Sequence, residues 1–177
     1  MRLAQVRKFI GWFDDRDDDT HCPFDCSRLA ILSADDIPTL IFAWLQIAPS
    51  LQNLEALEFH TLYSINLSLF PNLLFLGIQS VVFRTVVDVL LTIPSSSRIQ
   101  EIVLNTSCPI VDECDELDAV VSSLPVQCLP AVGLEMDLGQ YTHVWAASFP
   151  RLRSKNLLYH ADCCWLGAQL RRQNAPH

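Results

Sequence analysis

The chain has 177 residues, of which half are hydrophobic and 18% charged, and its formal net charge is −8. That length and apolar content suit one folded domain and exclude a disordered chain. The excess of acid excludes binding along a phosphate backbone, which requires clustered Lys and Arg.

Residues 1–20 read as an N-terminal flank or cap. "VRKFIGWF" offers Phe9, Ile10 and Trp12 to cover the end of a core, and "DDRDDD", from Asp14 to Asp19, reads as a solvated charge run without EF-hand spacing. The flank has no long apolar segment with a small-residue cleavage site. The longest apolar run of the whole chain, "IPTLIFAWLQIAP", has about 13 residues where a membrane-spanning helix needs roughly 20. No membrane association is expected, and a cytoplasmic or nuclear location follows. Seven cysteines, an odd number without regular spacing, fit thiols kept reduced there. The sequons at Asn66 and Asn105 then read as chance matches.

Residues 21–172 carry a repeated pattern, apolar-x-x-apolar-x-apolar. Its first copy is Cys26, Leu29 and Ile31, followed by Leu54, Leu57 and Phe59, then Leu73, Leu76 and Ile78. Ile99, Ile102 and Leu104 make a fourth copy, and Ala131, Leu134 and Met136 a weaker fifth. The starts are 28, 19, 26 and 32 residues apart, which brackets the 20–29 of leucine-rich repeats.

Between these copies the spacing predicts helices. In "SADDIPTLIFAWLQ", Ser33 and Asp36 are placed as caps, and Ile37, Leu40, Ile41 and Trp44 line one helical face. Tyr63 to Leu69 is long enough only for a turn or 3₁₀ stretch. Phe83, Val87, Leu90 and Leu91 form a second stripe, stopped by Pro94, and Leu117, Val120, Val121 and Leu124 a third. "QYTHVWAASFP" and "ADCCWLGAQLRR" are shorter candidates, and 173–177 reads as a tail. The expected fold is α/β: a short, irregular leucine-rich-repeat solenoid, with parallel strands on the concave face and helices or turns on the convex one. An ordinary two-layer α/β domain is the alternative.

The stretches "LQNLEALEF", "FPNLLFLGI", "SRIQEIVL" and "FPRLRSKNLLYHADCCW" resemble the leucine-rich repeats of F-box-type proteins of mushroom-forming fungi, over roughly Cys22 to Trp165. The resemblance implies a solenoid and, by analogy alone, a substrate receptor that engages a ubiquitin-ligase adaptor. Two departures stand out. The family's Asn or Cys after the last apolar position is replaced by Leu62, Val81, Ser107 and Gly139, so irregular repeats are expected. No N-terminal segment looks like an F-box, which leaves a chain or fragment without that module.

Little in the sequence points to chemistry. The five glycines form neither a P-loop nor a dinucleotide fingerprint, and G-x-S-x-G, H-E-x-x-H and C-x-x-C are absent. His21, Cys22 and Cys26 together with His160, Cys163 and Cys164 supply soft ligands, but the two groups are far apart in sequence and neither has four-ligand spacing. Cys114 is surrounded by Asp112, Glu113, Asp115 and Glu116, which disfavour a thiolate. No catalytic residue, metal or cofactor is expected, and a small cysteine- or metal-dependent α/β enzyme is the weaker reading.

What remains is a surface. Residues between the template positions fall on the opposite, concave face of each strand: Ala56, Glu58 and His60, then Phe75, Gly77 and Gln79, then Glu101, Val103 and Asn105, then Gly133, Glu135 and Asp137. Of these, Glu58, His60, Phe75, Gln79, Glu101, Asn105, Glu135 and Asp137 are the candidates to contact a protein partner of basic character. The expected function is a non-enzymatic interaction module; the alternative for the same face is mere solvation.

Overall fold

The computed structural model describes residues 31–34, 52–60, 65–80, 82–106, 111–124, 129–135 and 147–161. They form an α/β structure built on a six-stranded sheet. The strands are β1 (Ile31–Ala34), β2 (Ala56–His60), β3 (Phe75–Ser80), β4 (Glu101–Thr106), β5 (Ala131–Glu135) and β6 (Leu158–His160). Their order in space is their order in sequence, and every neighbouring pair is parallel. Parallel neighbours need a crossover between them. Those described contain α1 (Phe83–Leu90), α2 (Val111–Ser122) and α3 (Pro150–Ser154), with a 3₁₀ turn at Leu67–Leu69 between β2 and β3.

Alternation along the strands decides which face is buried. Leu57 and Phe59, Leu76 and Ile78, Ile102 and Leu104, and Val132 and Leu134 join one core with Val86, Val87, Val89 and Leu90 of α1 and with Cys114, Leu117 and Val121 of α2. Helix α1 packs on β3 and α2, and α2 packs on α3, so the helices share this face. The template residues at 54, 57, 59, 73, 76, 78, 99, 102 and 104 all lie in that core, as the repeat pattern predicts.

The outer copies of the pattern are displaced. Register pairs Leu32 with Leu57 and Ala34 with Phe59, so the first rung runs three residues later than the Cys26, Leu29, Ile31 reading. Ser33 accordingly belongs to β1, and the remainder of the helix expected there lies outside the described residues. At the other end Val132 pairs with Ile102, and Leu134 with Leu104. The fifth rung is therefore Leu129, Val132 and Leu134, two residues earlier than expected, and Ala131 falls on the other face.

Helix α1 is rich in β-branched residues, which are indifferent helix formers. Burial of its valines holds it, and its N-cap residue, Val82, has no side chain that could accept from the first turn. Leu91, expected in its apolar stripe, follows the last helical turn and is exposed. Beside it Thr92 ties the helix end to the preceding loop. Its hydroxyl donates to the Val89 carbonyl at 2.6 Å and accepts from the Leu67 N–H at 2.8 Å. In the 3₁₀ turn, Asn66 Oδ1 accepts from Ser68 N at 3.0 Å and Ser68 Oγ at 2.7 Å, giving that sequon a local capping role.

Asp118 of α2 is buried, and each carboxylate oxygen accepts a backbone bond from the first turn of α3. Oδ2 takes Arg151 N and Oδ1 takes Leu152 N, both at 2.9 Å. Helix α3 ends at Ser154, and two residues on Asn156 has a left-handed φ of 55°, a conformation Asn tolerates better than most residues. The Leu157 N–H reaches back to the Leu152 carbonyl at 3.0 Å, closing the helix and directing the chain into β6.

Candidate functional site: the open face of the sheet

The face opposite the helices is built in three rows that run across the strands. The first is Ala56, Phe75, Glu101 and Ala131; the second is Glu58, Gly77, Val103, Gly133 and Tyr159; the third is His60, Gln79, Asn105 and Glu135. Seven of the eight expected contact residues thus occupy one face by register. Asp137 lies outside the described residues, and Glu135 is placed by its backbone alone.

The middle of this face is apolar. Ala56, Val103 and Ala161 are buried in a second cluster, against which Phe75 and Tyr159 pack half-buried. The third row is more polar and wetter: Gln79 is exposed, and His60 and Asn105 are partly so.

Two glycines shape the surface by leaving space. A Cβ on Gly77 would meet Glu58 Cγ at 3.0 Å, so the Glu58 side chain leans from β2 across β3. A Cβ on Gly133 would lie 2.6 Å from both Cζ and the hydroxyl oxygen of Tyr159. The tyrosine therefore lies across β5, and its hydroxyl donates to Glu101 Oε1 on β4. Neither glycine has a positive φ, so close approach rather than backbone freedom requires them.

Tyr159 is the member of this face that the leucine pattern does not find. In β6 the positions equivalent to Leu129 and Leu134 are Lys155 and His160, leaving only Leu158 to mark the rung. The signal was the apolar pair in "NLLYHA" between a helix stop and a small residue.

The face has a charge bias. Glu58, Glu101 and Glu135 stand on it, and none of the described strand positions there is Lys or Arg. Arg84 is on the helix side, where Nη1 meets Glu116 Oε1 at 2.9 Å between exposed side chains.

Other candidates are separated. His160 lies exposed on β6, while His21, Cys22, Cys26, Cys163 and Cys164 fall outside the described residues. Among the described residues no three His, Cys, Asp or Glu side chains are grouped to hold a metal. Cys114 is a buried free thiol whose pKa is pushed from the ordinary 9.0 to about 11, first by burial and then by Glu113 and Asp115. The acidic neighbours were legible in the sequence; the larger cause, burial, comes from the packing of α2. Among the described residues no helix is long and apolar enough to cross a membrane.

No family model, curated protein or solved structure matches the chain.

Proposed function

We propose that the chain is a short, irregular leucine-rich-repeat solenoid that acts as a non-enzymatic interaction module, binding a protein partner through the open face of its sheet. The observation that carries this reading is the strand register. Corresponding positions recur from Ile31 to Ala56, Phe75, Glu101 and Ala131, and from Val132 to Leu158. Those steps are 25, 19, 26, 30 and 26 residues. Steps that bracket 20–29 residues, stacked in chain order with parallel strands, support a leucine-rich-repeat reading. Such stacks use the strand face for binding, and here that face combines an apolar centre with carboxylates.

The partner is basic, by complementarity with Glu58, Glu101 and Glu135. A reducing compartment, cytoplasm or nucleus, suits the free thiol of Cys114.

Affinity capture with the intact chain tests this. A Gln79→Lys/Asn105→Lys double variant puts two cations on the face and offsets most of its acidity, and Arg84→Ala alters the helix side. A genuine face partner is recovered with the wild type and Arg84→Ala and lost with the double variant. Partners that ignore the double variant, or that depend equally on Arg84, refute the reading. Recovery of a ubiquitin-ligase adaptor with the intact chain would favour the alternative reading of a substrate receptor.

A further inference from the structure

We propose that Ser154 is a phosphorylation site for an arginine-directed serine kinase, and that the added phosphoryl group is held by Arg151. The site lies on the outer side of α3 and is independent of the interaction-module reading.

In a chain of net charge −8, Arg151, Arg153 and Lys155 place three of its 12 Lys and Arg residues within five positions. All three are exposed, and so is Ser154 among them. Leu152 is the buried residue of the turn, and at the helical period Ser154, two positions on, faces away from it. Arg151 precedes Ser154 by three residues and so shares its side of the turn. The Ser154 hydroxyl already leans that way, donating to the Arg151 carbonyl at 2.8 Å. Arg84 is engaged by Asp88 and Glu116, whereas among the described residues neither the Arg151 nor the Arg153 guanidinium enters an ion pair. A dianion added at Ser154 therefore meets cations, and guanidinium is the side chain best shaped to hold phosphate. Ser68, Ser95, Ser96 and Ser123 are also exposed, but no other Ser or Thr of the chain has an arginine three residues before it.

The turn can also be drawn into a kinase without opening the core. Residues 153–156 are all exposed, and their release breaks only surface bonds, such as Asn156 N–H to the Arg153 carbonyl and Lys155 Nζ to the Ser122 carbonyl. Asp118 goes on holding the Arg151 and Leu152 N–H groups, which anchors the first half of α3. An acidic substrate groove would select the two arginines ahead of the serine. In the transfer, Ser154 Oγ bonds to the γ-phosphorus of ATP and the bond from that phosphorus to the β-phosphate oxygen breaks. ADP leaves, and the hydroxyl proton passes to a carboxylate base of the kinase.

The test uses the full chain, shown to be folded by circular dichroism, with magnesium-ATP and an arginine-directed serine kinase. One phosphate should be incorporated and be located at Ser154 by fragmentation mass spectrometry. Ser154→Ala should abolish it. Arg151→Gln keeps the backbone N–H that Asp118 holds, and should slow incorporation about tenfold or more through loss of a charge-assisted bond. In the phosphorylated chain, phosphorus NMR should place the second phosphate pKa about half a unit or more below the usual ~6. Arg151→Gln, driven to completion with excess kinase, should bring that value back toward ~6. No incorporation, a main site elsewhere, an undiminished rate with Arg151→Gln, or an ordinary phosphate titration in the wild type overturns the assignment.

Discussion

Gly133 and Tyr159 define each other. The ring occupies the volume that any side chain at 133 would take, and the hydroxyl that fixes the ring to Glu101 resists its displacement. Gly133→Ala should therefore break the Tyr159–Glu101 hydrogen bond at a cost of about 1–2 kcal/mol. Tyr159→Phe removes the same bond by another route. Denaturant melts of both single variants and the double variant check the coupling: the double variant should be less destabilised than the sum of the singles. Cys114 is a residue of the opposite kind, silent because it is buried. With its pKa at about 11, roughly one thiol in a thousand is ionised at pH 8, so native Cys114 should react with iodoacetamide far more slowly than the unfolded chain does. Its folded pKa lies above the ordinary value, so the folded state holds the proton more tightly. The resulting stabilisation is complete below pH 9 and is lost as pH rises toward about 11. Melts of wild type and Cys114→Ala across that range should converge as the alkaline end is approached.

Among the elements, α3 depends most clearly on a neighbour. It is a single short turn, with Phe149 and Leu152 buried beneath it, and its first N–H groups are satisfied from α2 by Asp118. Asp118→Ala leaves two such groups without their acceptor and should cost roughly 2–4 kcal/mol, since bonds to a charged group are each worth about 1.5–3 kcal/mol. Asp118→Asn keeps one acceptor oxygen and should cost less. Hydrogen exchange at Arg151 and Leu152 should rise in both variants, and more in the alanine one. None of this was visible in the sequence, where Asp118 is one carboxylate of an acidic run; only the packing of α2 on α3 separates it from its exposed neighbours. The same limit explains the displaced rungs. Leu57, Leu76 and Ile102 could be placed because both flanking template positions are large and apolar. At β1, Ala34 stands where the pattern wants a leucine, and an equally apolar Ile31 is nearby on the wrong face. At β6, Lys155 and His160 stand at the outer template positions, so Tyr159 stayed hidden although it completes the candidate site.

At the scale of the whole molecule, the side-chain period of two separates the two faces of one sheet, one packed into the main core and the other proposed here to bind a partner. Leu76 and Gln79 make the comparison within a single strand. Leu76 is fully enclosed between β2, β4 and the helices, whereas Gln79 stands exposed in the polar row of the open face. Leu76→Ala removes a packed side chain from a core that runs through five of the strands, and it should cost about 2–5 kcal/mol. Gln79→Ala should change stability by less than about 0.5 kcal/mol. The same pair should behave in the reverse sense in binding. Gln79→Ala should weaken capture of a face partner, while Leu76→Ala, assayed well below its melting temperature, should leave capture intact. A one-residue slip of β3 would turn Leu76 outward, and with it every neighbour in the strand. Thermal melts in which Gln79→Ala is the more damaging substitution would therefore overturn the register and, with it, the assignment of Phe75, Glu58 and Glu101 to a common surface.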